Sequence, residues 1–327
     1  MTMTATAQAG INPNDTADTK DNGRQIEIIS ENDLYGSGTD RYYTAGQRIV
    51  IDLKDDDPQW IKDGFAKLGF DRADRRVASL GQSIFTPDDI TRDDHPPGSH
   101  PWAGWLGGSL GATQDRGDGS RESLELSIGV TGPASLAEKS QKFVHNTFDM
   151  TYPAGWHNQT RNEPHFNVTY ARHWPGLGEW TPSSKFNLKA SPYLLGTAGS
   201  WETSATSGVL VSIGSEGDIR TSRPAQVMPG QSPIAAPSTA KGKTGWNLYI
   251  GAQARAVGWN SAIDGNFWRN DGPPGADSEE LVGEAYVGGG YRHKNVTIRG
   301  ELVRRSKEFK QQEGDHKYGR ISVSFPF

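Results

Sequence analysis

No cysteine occurs in the 327 residues, so disulfides, thiolate metal ligands and thiol chemistry are all excluded. Long hydrophobic runs are missing too. Only 34% of the residues are apolar and the mean hydropathy is −0.67. No apolar stretch approaches the roughly 20 residues that a spanning helix needs. An excess of positive charge is also absent: 34 Lys and Arg against 39 Asp and Glu leave a net charge of −5. That balance argues against a nucleic-acid partner. None of these absences excludes a β-barrel, whose strands show lipid only at every second residue and can span a membrane with a polar average.

What the chain does contain fits such a barrel. It ends in Ile321-Ser322-Val323-Ser324-Phe325-Pro326-Phe327, with apolar residues at every second position and an aromatic ring at the end. Outer-membrane barrels close with a terminal strand of this kind. From Gln25 onward twelve segments show period-2 alternation, the first at Gln25 to Glu31 and the last at Lys317 to Phe327. Leu124, Leu126, Ile128 and Val130 alternate with Glu125, Ser127 and Gly129, and such polar faces would line a lumen. The fold expected is all-β: a twelve-stranded antiparallel transmembrane barrel over residues 25–327. Residues 1–24, polar and without periodicity, read as a disordered lead; Ala7-Gln8-Ala9 has the small-x-small form of a signal-peptidase site.

If the first strand rises from the periplasm, odd-numbered connections lie outside the cell. That places Asn32-Asp33, Thr86 to Asp89 and Gly132 to Glu163 on the exterior, with Thr44 near the outer end of the second strand. Two long polar stretches, Lys54 to Asp74 and Ser215 to Thr244, fall on the inner side, and the second reads as a flexible insertion. The third exterior connection reads as a short helix opened by Gly132-Pro133, with Ser135 and Glu138 at capping-box spacing. Its apolar residues Leu136, Phe143 and Val144 recur at helical intervals, and Gln141 and His145 share a face. Lying on the barrel mouth with His145 directed inward, the helix could cover an active site. A lone histidine is as easily a hydrogen-bonding surface residue.

Several blocks together resemble one family. They are Glu31-Asn32-Asp33, Asp40 to Gly46, Gly81 to Pro87, Pro101-Trp102-Ala103-Gly104-Trp105, and Gly129 to Pro133 leading to Gln141 and His145. Gly155-Trp156 through Asn162-Glu163-Pro164, and Asn260 to Gly265, follow in the same order. Order and spacing resemble the lipid A 3′-O-deacylases, the outer-membrane LpxR family. The resemblance implies a monomeric enzyme of the bacterial outer membrane with its site at the exterior rim, between the wall and a loop helix. It also implies Ca²⁺-dependent hydrolysis of the ester that holds the 3′ acyl or acyloxyacyl chain of lipid A in lipopolysaccharide. Matching motifs carries the essential Asn-Asp pair onto Asn32 and Asp33, the Thr onto Thr44 and the His onto His145.

Those residue types suit the reaction. His145 could take a proton from water, while Ca²⁺, a hard cation, could be held by oxygens of Asn32 and Asp33. Neighbouring strand side chains point to opposite faces, so both could bind one ion only where the strand breaks; an Asx turn is the structural alternative for the pair. Arg48, sharing parity with Thr44, and Arg92, in the second exterior connection, are candidates for binding the glucosamine phosphates. Ser99-His100 stands where the family commonly has Asp-Arg. Two other readings remain open: a passive structural or pore-forming barrel, and a barrel esterase with a Ser nucleophile beside His145.

Overall fold

A computed structural model describes residues 24–54, 58–175, 178–183, 186–215, 226–228 and 244–327; the polar lead through residue 23 lies outside the described residues. The alternating segments form β1 (Gln25–Asn32), β2 (Tyr42–Leu53), β3 (Arg75–Thr86), β4 (Ala103–Asp115), β5 (Arg121–Thr131) and β6 (Pro164–His173). They continue as β7 (Gly178–Ser183), β8 (Phe186–Gly199), β9 (Glu202–Gly214), β10 (Gly245–Asn260), β11 (Leu281–His293), β12 (Val296–Arg305) and β13 (His316–Pro326). The pairings are antiparallel, β1 closes on β13, and β6 pairs directly with β8. β7 pairs only with β8 and stands outside the ring. The wall is therefore the expected twelve-stranded antiparallel barrel, with few short helices.

Alternation decides what each strand shows. On β12, Thr297, Arg299, Glu301, Val303 and Arg305 are buried toward the lumen, while Val296, Ile298 and Leu302 are exposed on the outer face. The lumen is filled. Arg48 pairs with Glu125 at 2.6 Å, Arg305 with Glu284 at 2.8 Å, and Arg255 bridges Glu202 and Glu308. An aromatic cluster that includes Tyr43, Phe85, Trp105, Trp201 and Tyr318 packs above these pairs. Buried charges of this kind persist only when paired.

Two long connections, Lys54 to Asp74 and Ser215 to Thr244, reach the wall and the lumen. The first contains a helix, α1 (Gln59–Lys67), whose Ile61 and Phe65 pack with Phe70, Ala112 and Leu124. Most of the second lies outside the described residues, but Gln226–Met228 reach into the lumen. Val227 N–H donates to Glu31 at 3.1 Å, the Gln226 carbonyl accepts from Arg48 at 2.9 Å, and Met228 joins the aromatic cluster. Those three residues plug the lumen.

The connection from β5 to β6 carries α2 (Ala137–Thr147), preceded by a 3₁₀ turn at Gly132–Ser135. It does not lie across the mouth. Gly104 has outer-face parity on β4, and a Cβ there would meet the Ala137 Cβ at 2.2 Å and the Ser135 Oγ at 2.3 Å. α2 is thus seated on the outside of the wall, where only a glycine permits so close an approach. The face it buries is Ala137, Gln141 and His145, whereas Leu136, Phe143 and Val144 are exposed. The apolar residues that mark the helix in sequence point away from the wall, because the wall side holds Ala137 against Gly104 and the hydrogen-bonded Gln141 and His145.

Candidate active site

Four segments converge where α2 meets the outer wall. β1 ends at Asn32, whose side-chain oxygen accepts from the Leu34 N–H at 2.7 Å and caps a 3₁₀ turn over Asp33–Tyr35. The strand therefore breaks between the two residues, and the Asx turn is present at the place where a shared ligand pair would need the break. Asp33 is buried. Its Oδ2 accepts from Thr39 Oγ1 at 2.9 Å and from the Arg41 N–H at 2.8 Å. Burial dominates these bonds and, reinforced by the negative charge of Asp40, pushes the Asp33 carboxyl up to about 8.

β2 starts with an irregularity that serves the site. Its register against β3 shifts between Tyr43 and Ala45. Tyr43 turns into the lumen, where its hydroxyl donates to Glu31. Thr44, the extra residue of the bulge, bonds to Thr86 with 2.7 Å between hydroxyl oxygens. The bulge also separates Thr44 from Arg48, which a regular strand would hold on one face.

His145, on the buried face of α2, is the centre of the arrangement. Its Nδ1 donates to the Thr151 carbonyl, since a carbonyl can only accept. Its Nε2 lies 2.9 Å from Asp40 Oδ2. Gln141, one turn back on the helix, donates to Asp40 Oδ1 at 3.1 Å and is itself fixed by the Trp156 indole at 2.7 Å. Burial raises the Asp40 carboxyl; the charge of His145 and hydrogen bonds from Gln141 and Thr44 oppose that rise. With Nδ1 committed to Thr151, Nε2 is the ring nitrogen that can take up a proton, and it opens onto Asp40.

The same arrangement places the other candidates elsewhere. Arg48 is buried in the lumen, bonded to Glu125, Ser79, Ser109 and the Gln226 carbonyl. It is not at the outer-wall site, because the bulge puts it on the opposite face from Thr44. Arg92 lies in the loop that packs beside Trp156 and forms an exposed pair with Asp94 at 2.7 Å. His100 is also on the lumen side: its ring stacks on Phe85 with centroids 6.0 Å apart, and Nδ1 donates to the Pro101 carbonyl at 2.8 Å. A serine–histidine–carboxylate set exists at Ser200, His165 and Glu163, with His165 bonded to both neighbours. All three are buried, and Glu163 also accepts from the Phe267 and Trp268 N–H groups. The set clasps two loops and presents no nucleophile to the surface.

Comparison with known proteins decides the relationship. A family model of the outer membrane protein LpxR matches residues 1–327. The chain belongs to the LpxR family. LpxR from Salmonella typhimurium superposes with a TM-score of 0.75 at 17% sequence identity, covering 93% of this chain and 100% of that one. The β domain of the Bordetella autotransporter BrkA gives 0.42 at 8% identity over 93% and 99% of the two chains. The NanC porin gives 0.38 at 8% over 92% and 100%. No curated protein matches the sequence. LpxR-family membership and the wall together make this an outer-membrane β-barrel.

Within this LpxR-family chain, Asp40, Gln141, Thr86 and Thr151 join the four residues carried over from the motifs. Gln141 is marked in the sequence by the helix face it shares with His145, whereas nothing in a single sequence separates Asp40 from its neighbours in the Asp40 to Gly46 block. The oxygens at the site also bear on calcium. Two carboxylates, Asp33 and Asp40, are raised by burial, and Asp40 Oδ2 is a buried oxygen without a hydrogen-bond donor beyond the His145 contact. Hard, desolvated oxygens of this kind suit Ca²⁺. Among the described residues no group of three or more His, Asp or Glu side chains gathers to hold a metal alone. Carbonyl, amide and water oxygens would have to complete the sphere, as is usual for this ion.

Proposed function

We propose that the protein is a Ca²⁺-dependent lipid A 3′-O-deacylase of the bacterial outer membrane, acting at the exterior rim as a monomer. The observation that carries this reading is the place of Asp40 on the outside of the wall, where it contacts His145, bonds to Thr44 and lies near enough to Asp33 to act on its charge. A lipid substrate can reach such a site laterally from the bilayer. α2 assists, because its exposed Phe143, Leu136 and Val144 extend the apolar wall to the edge of the site.

His145 acts as general base. A water that displaces the direct Asp40 contact can bond to both Nε2 and the Asp40 carboxylate. Nε2 removes a proton as the water oxygen attacks the ester carbonyl, and the Asp40 carboxylate stabilises the imidazolium formed. When the tetrahedral carbon collapses, the bond to the sugar 3′ oxygen breaks and the imidazolium returns the proton to that oxygen. Gln141 and the Thr151 carbonyl hold the carboxylate and the ring in position. Asp33 and Asp40, with Asn32 oxygen, would hold calcium, which when bound supplies electrostatic stabilisation of the carbonyl oxygen. Arg92 remains a candidate for a phosphate contact from the adjoining loop. The lumen-facing plug and ion pairs favour an enzyme over a pore.

The test is mass spectrometry of lipid A incubated with detergent-refolded protein, with Ca²⁺ or with excess chelator. Loss of the 3′ acyl unit in calcium alone is expected. Chelator-resistant deacylation, or a covalent acyl-enzyme trapped on a serine, would replace this mechanism with another.

A further inference from the structure

α1 has three chemically distinct sides. Ile61 and Phe65, four residues apart, are buried against Ala112 and Leu124, with Leu110 and Leu126 partly buried beside them. Those four wall residues share the parity of exposed Ile128 on β5 and of Gly104 on β4, so α1 packs on the outer face of the barrel. Gln114, also on that face, anchors the turn after the helix by donating to the Gly69 carbonyl at 2.8 Å. One flank of α1 carries Trp60, Gly64 and Leu68; Trp60 is 66% exposed and Leu68 53%. The opposite flank carries Gln59, Lys62, Asp63 and Ala66, and Gln59 donates to Asp63 at 2.8 Å.

A water-soluble setting gives no reason for Trp60 and Leu68 to stand exposed on one flank with the polar residues on the other. A bilayer border does. The apolar flank continues the lipid-facing wall, on which Leu80 and Ile128 are exposed. Position along the strand agrees. α2 sits over Gly104 and α1 over Ala112, eight residues along β4. That is about 26 Å of strand at ~3.3 Å per residue, or about 20 Å along the membrane normal at a tilt of ~40°. The apolar band of an outer-membrane barrel is about 25 Å tall, so the two helices stand near its two borders.

We propose that α1 is an interfacial helix that inserts Trp60 and Leu68 into the leaflet opposite the active site, with phospholipid as its partner. Resting on the wall, it fixes the depth and tilt of the β3–β5 side, and so the height at which α2 and His145 meet the other leaflet.

The cysteine-free chain allows a direct test. Single variants Trp60→Cys, Leu68→Cys, Asp63→Cys, Ala66→Cys and the wall reference Ile128→Cys are spin-labelled, refolded into phospholipid vesicles and checked for heat-modifiable barrel migration. Accessibility to oxygen, which partitions into lipid, is compared with accessibility to a water-soluble nickel chelate. Labels at 60 and 68 should favour oxygen several-fold over those at 63 and 66, approaching the reference at 128. Readings at 60 and 68 equal to those at 63, or shielding from both reagents as in a contact with a second copy, would overturn the proposal.

Discussion

At the scale of single residues, Asp40 is expected to be as necessary as the histidine it faces. His145→Ala should lower the deacylation rate by about 10²- to 10⁴-fold, the usual worth of a general base. Asp40→Asn keeps the shape and removes the charge, so it should also lower kcat while leaving barrel formation intact. A rise in the calcium concentration needed for half-maximal activity would separate a role in holding the ion from a role in orienting the ring. His100 gives a prediction of another kind. Burial lowers its imidazole to about 4 from an ordinary 6.5, so the folded chain resists a proton that the unfolded chain accepts. Stability is whole above pH 6.5 and is lost as pH falls toward 4, by on the order of 2 kcal/mol between pH 7.5 and 5. Denaturant midpoints at the two pH values should differ less in His100→Phe, which retains the stack on Phe85; equal pH dependence in both proteins would count against the buried neutral ring.

At the scale of elements, the seat of α2 is the decisive contact. Gly104→Ala places a methyl group where Ala137 and Ser135 already lie, and one of them must move. The expected result is a folded barrel, unchanged by circular dichroism and gel migration, with activity reduced at least about tenfold because His145 is displaced from Asp40. Full activity in that variant would mean that the helix can shift without carrying the site with it. How much of this was legible follows from the same elements. β-strand alternation is local, so the wall segments could be read to within a few residues, as in Leu124 to Val130. The break at Asn32-Asp33 could be read as one of two possibilities, and the structure contains it. The bulge at Thr44 could not, because nothing in Tyr43-Thr44-Ala45 shows which residue the ladder will skip, and parity with Thr44 therefore does not carry Arg48 to the site. α1 is less legible because its apolar residues Trp60, Ile61, Phe65 and Leu68, although at helical spacing, sit within a stretch dominated by charged and polar residues. The apolar period of α2 announced a helix but pointed to the wrong side of it, since the tight seat on Gly104 selected small and polar residues.

At the scale of the whole molecule, the barrel is a filled scaffold that carries a site on its outer surface. The ion pairs of the lumen, the aromatic cluster and the Gln226–Met228 plug predict that planar bilayers containing the protein show no steady ionic conductance. Sustained channels of porin size would contradict the packing described. The candidate site lies on the outer face of the wall beside α2, and by the proposal above α1 and α2 stand near the two borders of the apolar band. The measurement that tests the central claim most directly is the mass spectrum of lipid A after incubation in calcium with the native barrel and, side by side, with refolded His145→Ala. Loss of the 3′ acyl unit is expected with the first and intact lipid A with the second. Equal loss with both, or intact lipid A with both, would contradict it.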